Sequence, residues 1–286
     1  MIEFKNVSKQ FPNSSQKAVD DFSYVIPSRE IHVFLGSSGC GKTTLLRCVN
    51  RMEIPTSGQI LWDDQDVAEL NPVELRRSIG YVMQSAGLMP HRTVLDNVTT
   101  VLRLRNGEAK LSKEQIRSRG LEMLELVGLD PQLASRYPAQ LSGGQAQRVG
   151  VARALAPNPR VVLMDEPFAA VDPLVRTQLQ DLVRDLQREL KTTILFVTHD
   201  VDEAVRLADK IIVLSERAQI RQAGTARELL SQPADQFVAD FLGINRELPL
   251  ELGAQNLVFN PDGRPLGHLS FPEGVAGSVT DAEAGI

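Results

Sequence analysis

One glycine-rich segment restricts the fold of this chain more than any other feature. It follows the apolar run at 31–35 and reads Gly36-Ser37-Ser38-Gly39-Cys40-Gly41-Lys42-Thr43. Glycines let backbone N–H groups close around phosphate oxygens, and the N-terminus of the next helix adds the positive end of its dipole. The order of strand, glycine loop and helix predicts a phosphate-binding loop. Lys42 would reach the terminal phosphates, the Thr43 hydroxyl would ligate Mg²⁺, and Thr44 completes the set of contacts.

The charge balance argues against nucleic acid as a partner. The 286 residues carry 31 Lys and Arg against 36 Asp and Glu, which gives a net charge of −5 and a pI near 5.5. A nucleic-acid-binding domain usually carries a basic excess. The sequence also lacks a signal-peptide pattern and any apolar run near the ~18 residues that span a bilayer. We therefore expect a cytoplasmic protein that reaches a membrane only through a partner.

Three similar apolar runs recur along the chain, and two of them end in polar residues that can carry chemistry. The run at 160–164 leads into Asp165 and Glu166, the run at 193–198 leads into His199, and the third lies at 210–214. Runs that are apolar throughout indicate strands buried on both faces of a parallel sheet. Because helical segments separate them, we expect right-handed crossovers that bring the phosphate loop, the two acids and His199 to one edge of the sheet.

Two further layers are expected around this sheet. Strand-like alternation predicts a small antiparallel sheet from the segments at 2–7, 18–26 and 59–62. Helical spacing at 94–104 and 113–127 predicts a helical lobe inserted between two strands of the core.

A second anion-binding element is indicated by the pentapeptide Leu141-Ser142-Gly143-Gly144-Gln145, which opens a helical segment. Its glycines admit close backbone approach, its serine supplies a hydroxyl, and the helix dipole favours phosphate. Taken alone, the same pentapeptide is also compatible with a capped helix start. Its presence beside a phosphate loop and a strand that ends in Asp-Glu favours the anion-binding interpretation.

With these motifs, residues 2 to about 243 resemble the ATP-binding subunit of an ABC transporter. The resemblance implies an α/β fold: a P-loop NTPase, RecA-like core with a parallel sheet, an antiparallel β subdomain and an inserted helical subdomain at about 85–158. It implies a nucleotide-binding domain at 1–243 and leaves a tail at 244–286. ATP and Mg²⁺ are the implied cofactors.

The resemblance also implies a role for each residue of the site. Asp165 orients Mg²⁺, Glu166 is the general base for the attacking water, and His199 contacts the γ-phosphate. Gln84 matches the glutamine that touches Mg²⁺ and senses the helical lobe. Phe11, just before a turn-forming cluster, is either a core residue or a stacking platform for the adenine ring.

Two subunits pair head to tail in this family, and the resemblance implies a second copy of the chain as partner. Ser142, Gly143, Gly144 and Gln145 of one chain would complete the phosphate site of the other. Asp172 falls in the loop that would cross the interface. Integral membrane permease subunits and, indirectly, a substrate-binding protein are further implied partners, which places the chain at the cytoplasmic face of a membrane.

Several stretches are similar to importers of quaternary-amine osmoprotectants such as glycine betaine, choline, carnitine or proline betaine. They lie at 48–52, 55–58, 77–84 and 87–97. Amino-acid-type importers share much of this frame and stay an alternative. A soluble ABC ATPase of DNA repair or translation is a second alternative, for which a zinc module, a long coiled coil or a second cassette would be expected. A regulator that binds nucleotide without turnover is disfavoured by Lys42, Glu166 and His199 together.

The tail departs from the pattern of betaine-type cassettes, many of which carry two CBS modules. The 41 residues after Asn245 are too few for a pair of packed modules. Residues 257–269 read as strand, Pro-Asp-Gly turn and strand, which resembles the hairpin of a degenerate CBS module. We expect residues 274–286 to be mobile.

Overall fold

The computed structural model describes residues 1–104, 111–169 and 171–244, together with strands at 251–252, 257–259 and 265–268. It divides the chain into two units, Met1–Leu242 and Gly243–Ile286. The strands described in the first unit are β1 Ile2–Gln10, β2 Lys17–Ile26, β3 Ile31–Gly36, β4 Ser57–Trp62, β5 Gln65–Asp66, β6 Ile79–Val82, β7 Val161–Asp165, β8 Thr193–Thr198, β9 Lys210–Leu214 and β10 Ile220–Gly224.

Six of these strands form the central sheet, in the order β10-β9-β3-β8-β7-β6. The strands from β9 to β6 run parallel, and β10 pairs antiparallel with β9 at one edge. Every residue of β3, β7 and β8 is buried, as the uninterrupted apolar runs predict for central strands. The predicted parallel core is confirmed.

The other four strands form an antiparallel sheet in the order β2-β1-β4-β5. Its inner face packs on the central sheet through three aromatic rings. The Phe4 and Phe22 ring centroids are 5.2 Å apart, and Phe22 lies 5.5 Å from Phe34 of β3, in edge-to-face geometry. Such pairs add to the free energy gained by burying the rings. The predicted antiparallel subdomain is therefore present and joined to the strand that carries the phosphate loop.

The described helices of the first unit follow from local capping and from apolar spacing. They are α1 Lys42–Val49, α2 Pro72–Ser78, α3 Val94–Val98, α4 Thr100–Arg103, α5 Lys113–Leu126, α6 Gly143–Leu155, α7 Pro173–Leu190, α8 Val201–Leu207, α9 Ala226–Ser231 and α10 Gln236–Leu242. Four of them, α3 to α6, lie in the chain between β6 and β7. No described helix is both long and apolar enough to cross a membrane.

The continuous helical pattern predicted for 94–104 is divided in the structure. It forms α3 and α4, which are separated at Thr99, where φ is −88° and ψ is 3°. The Thr99 hydroxyl donates to the Leu95 carbonyl over 2.7 Å. A threonine bonded back to the preceding turn bends a helix, and that contact accounts for the break.

The second unit contains three described strands, β11 Glu251–Leu252, β12 Leu257–Phe259 and β13 Pro265–His268. They pair antiparallel in the order β11-β12-β13, with Leu257 opposite His268. The turn predicted between the last two strands and the segment expected to be mobile, 274–286, lie outside the described residues. The likeness to a CBS hairpin stays a prediction.

Replacing Phe22 with alanine should lower the free energy of unfolding by about 3–5 kcal/mol, because it empties a ring site between the two sheets. Phe22 is 2% exposed. Urea unfolding followed by circular dichroism measures the change. The matched control is Phe237→Ala. The Phe237 ring is 37% exposed, so its removal should lower the free energy of unfolding clearly less than the removal of the Phe22 ring. Equal losses in the two variants would contradict this account of the sheet interface.

Candidate functional site

The phosphate loop begins at the buried end of β3 and ends at the first turn of α1. Gly39 and Gly41 have φ of 81° and 111°, a region that side chains with a Cβ rarely adopt. A Cβ on Gly41 would also lie 2.4 Å from the Ala18 carbonyl oxygen. Glycine is required at position 41 both by its conformation and by the close approach of β2. The loop can therefore present its N–H groups to an anion at the start of α1.

The Lys42 ammonium lies inside this loop. Its Nζ donates to the carbonyl oxygens of Gly36 and Ser37, each over 2.7 Å, and the residue is 4% exposed. Within the described residues no carboxylate pairs with it. A buried charge is normally matched by an opposite charge, because neutral acceptors compensate only part of the lost hydration. The loop thus holds a cation where an anionic ligand can complete the site.

A cleft of about 170 Å³ opens at the loop. It is lined by Ala18, Ser38, Gly39, Gly41, Lys42, Thr43, Thr44 and Glu166. The cleft brings residues of the phosphate loop together with the acid that follows β7, as predicted. Pockets for small molecules are typically about 300–1,000 Å³, so this cleft encloses only part of a ligand of that size. Larger cavities, of about 520 and 730 Å³, lie elsewhere on the chain and contain none of the predicted site residues.

Asp165, the last residue of β7, is held by the side chains around it. The Thr43 hydroxyl donates to Oδ1 over 2.7 Å, and the Tyr81 hydroxyl donates to Oδ2 over 3.2 Å. Burial and the Asp165 charge raise the pKa of Tyr81, which keeps that hydroxyl a donor. Arg47 Nη2 lies 3.8 Å from Oδ2. Hydroxyl and carboxylate oxygens are the donors that Mg²⁺ prefers, so Thr43 and Asp165 fit such an ion.

Sequence reasoning did not select Tyr81 or Arg47. Arg47 stands four residues after Thr43 on α1, and this spacing places both on one helix face. That spacing was the available signal for Arg47. Tyr81 lies on β6, next to β7 in the sheet, and only the strand order brings it to Asp165.

Three predicted residues meet beside the cleft. Glu166 Oε1 lies 3.3 Å from His199 Nδ1, and Glu166 Oε2 lies 3.5 Å from Gln84 Nε2. The Glu166 backbone has a φ of 45°, and its N–H donates to the Val197 carbonyl over 3.0 Å. A left-handed glutamate is uncommon and is kept here by that hydrogen bond to β8. The geometry aims one carboxylate between a histidine and an amide at the mouth of the phosphate loop.

The segment around Gln84 is held by α6. Gln147 Nε2 donates to the Met83 carbonyl over 3.3 Å, and Arg153 donates to the Ala86 and Gly87 carbonyls over 2.6 and 2.7 Å. Burial lowers the pKa of Arg153 from its ordinary value. Sequence reasoning did not select Gln147 or Arg153. These contacts join the helix that carries the second glycine motif to the residues that follow β6.

The residues Ser142, Gly143, Gly144 and Gln145 form the start of α6 and lie outside the cleft lining. The Ser142 Oγ accepts the Gln145 N–H over 3.2 Å, and Gln145 Oε1 accepts the Ser142 N–H over 3.0 Å. This capping box uses the serine oxygen as acceptor, so its hydroxyl hydrogen can still donate to an anion. A Cβ on Gly144 would lie 2.7 Å from Val175 Cγ1 on α7. Within one chain the motif is a capped helix start.

Phe11 and Asp172 also lie outside the cleft lining. Phe11 is partly buried and absent from the hydrophobic core, with Lys9 Nζ 5.0 Å from its ring centroid. Asp172 is exposed immediately before α7, and its carbonyl accepts the Arg176 N–H over 2.8 Å. The predicted roles of both residues stay predictions.

A buried acid lies behind His199. Glu203, on α8, is 4% exposed and accepts the Thr198 hydroxyl over 2.7 Å. Burial raises the pKa of this carboxyl from its ordinary value, and the nearby Asp200 charge acts in the same direction. Sequence reasoning did not select Glu203, because only the packing of α8 on β8 buries it.

The fold and the site together define a class of protein. A parallel sheet carries a phosphate loop, an Asp-Glu pair, a glutamine and a histidine at the ends of its strands, with an antiparallel subdomain and an Ser-Gly-Gly-Gln helix start. This is the architecture of an ABC cassette.

The chain belongs to the ABC transporter family, whose profile matches residues 19–169, just over half of its length. The glycine betaine/carnitine/choline transport ATP-binding protein OpuCA of Bacillus subtilis is 46% identical over 246 residues, which cover 86% of this chain and 63% of that protein. The chain therefore spans less than two thirds of the length of that relative.

A second relative and a solved structure are also similar to this chain. The sulfate/thiosulfate import ATP-binding protein CysA of Pseudomonas aeruginosa is 41% identical over 280 residues, which cover 98% of this chain and 83% of CysA. Among solved structures, the dimeric post-hydrolysis state of the ATP-binding cassette MJ0796, bound to ADP and Pi, matches with a TM-score of 0.71 at 34% identity. The match covers 79% of this chain and 98% of MJ0796. The predicted family and fold are confirmed.

Glu203→Gln should stabilise the protein more at neutral than at acidic pH. A carboxyl whose pKa is raised on folding contributes stability below its unfolded pKa, and that stability is lost as the pH rises through the folded pKa. The glutamine amide in Glu203→Gln does not ionise, so the variant does not lose this stability as the pH rises. We expect the Tm difference between variant and wild type to be more positive at about pH 7.5 than at about pH 5, by differential scanning calorimetry. Glu189→Gln, at an exposed position, is the control; a flat difference for Glu203→Gln would contradict the assignment.

Proposed function

We propose that this chain binds ATP with Mg²⁺ and hydrolyses ATP to drive a membrane importer. The observation that carries the proposal is the Lys42 ammonium, buried in the phosphate loop without a carboxylate partner among the described residues. The backbone N–H groups of the loop and the positive end of the α1 dipole add further electrostatic attraction for phosphate. Lys42 would therefore balance the charge of the terminal phosphates.

Each residue around the loop has a defined task in this reaction. A water attacks the γ-phosphorus, the bond from the γ-phosphorus to the ADP oxygen breaks, and Glu166 accepts the proton of that water. His199 and Gln84 hold the Glu166 carboxylate from either side. Thr43, Asp165 and Gln84 would hold Mg²⁺, which supplies charge neutralisation at the phosphate oxygens. Tyr81 and Arg47 keep the Asp165 carboxylate in place.

Completion of the site requires a second copy of the chain. The cleft at the loop, of about 170 Å³, covers only part of a nucleotide, and Ser142 and its neighbours do not line the cleft of their own chain. A head-to-tail dimer would bring that helix start to the phosphates of the partner, where the Ser142 hydroxyl can donate. Asp172, exposed before α7, would lie at this interface. The dimeric MJ0796 structures support this arrangement.

The proposed cargo is a quaternary-amine osmoprotectant: glycine betaine, choline, carnitine or a related compound. The identity to OpuCA supports this class, and so do the stretches before and after Gln84. The cassette would act at the cytoplasmic face of the membrane, bound to permease subunits, with a substrate-binding protein as indirect partner. It would not contact the cargo itself.

One observation favours a second candidate, the import of sulfate or thiosulfate. The match to CysA covers 98% of the chain and so extends through most of the tail, whereas the match to OpuCA covers 86%. Higher identity supports the first candidate, and wider coverage supports the second.

The test is the ATPase activity of the chain assembled with the permease that co-purifies with it, in the presence of loaded substrate-binding proteins. Stimulation by a binding protein carrying glycine betaine, choline or carnitine supports the first candidate. Stimulation by a sulfate-loaded binding protein, with none by the amines, supports the second. Failure of the chain to hydrolyse ATP in any assembly would refute both.

Glu166→Gln should stop turnover while leaving ATP binding intact, because the amide cannot accept the proton of the attacking water. Phosphate release should fall by at least about 100-fold. Binding of a fluorescent ATP analogue should stay within about twofold. Glu189→Gln removes an exposed carboxylate of α7 that does not line the cleft and serves as control. Unchanged hydrolysis in Glu166→Gln would reject Glu166 as the base.

Phe11→Ala should weaken ATP binding by about 1–3 kcal/mol, the cost of removing a ring on which a base stacks. Calorimetric titration with ATP and Mg²⁺ measures the change, and Phe237→Ala is the matched aromatic control. If the affinity does not change, Phe11 is not an adenine platform and its ring serves only local packing.

A further inference from the structure

Arg176, on the first turns of α7, has a buried nitrogen without a hydrogen-bond partner. Its Nε is the one buried side-chain atom in the described part of the chain with this property. The Oε1 of Glu203 lies 3.9 Å from Nε, beyond hydrogen-bond distance. Burying an unpaired N–H of a charged group is costly, so such an atom calls for an explanation.

The other nitrogens of Arg176 join two segments of the site. Nη2 donates to the Val171 carbonyl over 3.3 Å, immediately before Asp172. Nη1 lies 3.4 Å from Asp200 Oδ2, immediately after His199. One guanidinium therefore connects the segment expected at the dimer interface to the loop that carries His199.

The residues on both sides of His199 are hydrogen-bonded to the groups that face Arg176. The Thr198 hydroxyl donates to Glu203 and accepts the Asp200 N–H over 3.0 Å. Asp200 caps α8 with Oδ1, which accepts the N–H groups of Asp202 and Glu203, and leaves Oδ2 for Arg176. A displacement of Arg176 would therefore be transmitted to Thr198 and Asp200, and so to His199.

A void beside these residues allows the guanidinium to shift. It measures about 90 Å³, and its lining includes Glu166, Arg176, His199 and Glu203. A movement of about 1 Å would bring Nε within hydrogen-bond distance of Glu203 Oε1. The resulting contact would be charge-assisted, and it would satisfy the orphaned atom.

We propose that Arg176 is a positioning residue: it ties the segment at 171–172 to the His199 loop, and its Nε engages Glu203 when His199 contacts the terminal phosphate of ATP. This inference rests on the proposed function, since it needs ATP at the phosphate loop. It adds a route by which an event at the dimer interface sets the position of His199. ATP, with its terminal phosphate, would use this route, and ADP would not.

The test measures ATP-driven dimer formation by the full chain in a Glu166→Gln background, by light scattering against ATP concentration. Arg176→Lys keeps the charge and removes the fork of three nitrogens. We expect the half-saturating ATP concentration to rise about tenfold, because the variant loses one charge-assisted hydrogen bond. The affinity for ADP should not change. Arg184→Lys is the matched control, since Arg184 lies on the same helix and donates to the Arg206 carbonyl.

A double variant separates positioning from general stability. If Arg176 acts through His199, adding Arg176→Lys to His199→Ala should cause no further loss of ATP response. If the double variant loses the product of the two single-variant losses in ATP response, the proposal is overturned. An unchanged ATP response in Arg176→Lys alone would also overturn it. A parent that binds no ATP at all would refute the proposed function, and this inference with it.

A second variant covers the case in which Arg176→Lys folds poorly. Glu203→Gln keeps the shape of the partner and removes its charge. We expect it to raise the half-saturating ATP concentration severalfold while the protein stays at least as stable as the parent at about pH 7.5. A residue with a merely structural role would not weaken the ATP response without losing stability, so an unchanged ATP response in this variant overturns the proposal.

Discussion

The parallel pairing of β3, β8 and β7 brings three strand ends to one edge of the sheet, and the site depends on it. Leu35 pairs with Thr198 and Asp165 with Val197, so each strand stops at nearly the same level. The groups that follow these strands then meet, although 163 positions of sequence separate Gly36 from His199. The Glu166 N–H bond to the Val197 carbonyl fixes the acid at the point where β7 leaves the sheet.

Electrostatics supports the phosphate site that is proposed at this edge. The Lys42 ammonium is buried against two carbonyl oxygens, and the α1 start adds its dipole. The acids Asp165 and Glu166 lie at the same edge and have separate partners. Asp165 accepts hydrogen bonds from Thr43 and Tyr81, whereas Glu166 contacts His199. The second helix start that is proposed to bind phosphate belongs to α6, where Ser142 and Gln145 cap the helix of their own chain.

The strands were predictable because their sequences carry an unambiguous local signal. The all-apolar run before Asp165 is buried at every position, and the glycine loop follows β3 as its spacing requires. The predicted helix at 94–104 was wrong in its continuity, because the Thr99 hydroxyl bond to Leu95 is a local competitor that apolar spacing does not reveal. Tyr81 and Arg153 were missed because their partners are distant in sequence, and Glu203 was missed because only the packing of α8 on β8 buries it.

The sequence by itself determined the phosphate loop, the capped helix starts and the buried strands, because these depend on residues within a few positions of one another. The tertiary structure decided which side chains meet at the site: Tyr81 with Asp165, Gln84 and His199 with Glu166, and Arg176 with Asp200. It also left the Arg176 Nε without a partner. Contacts of this kind arise from strand order and from the packing of helices on the sheet, which no local pattern of residues encodes.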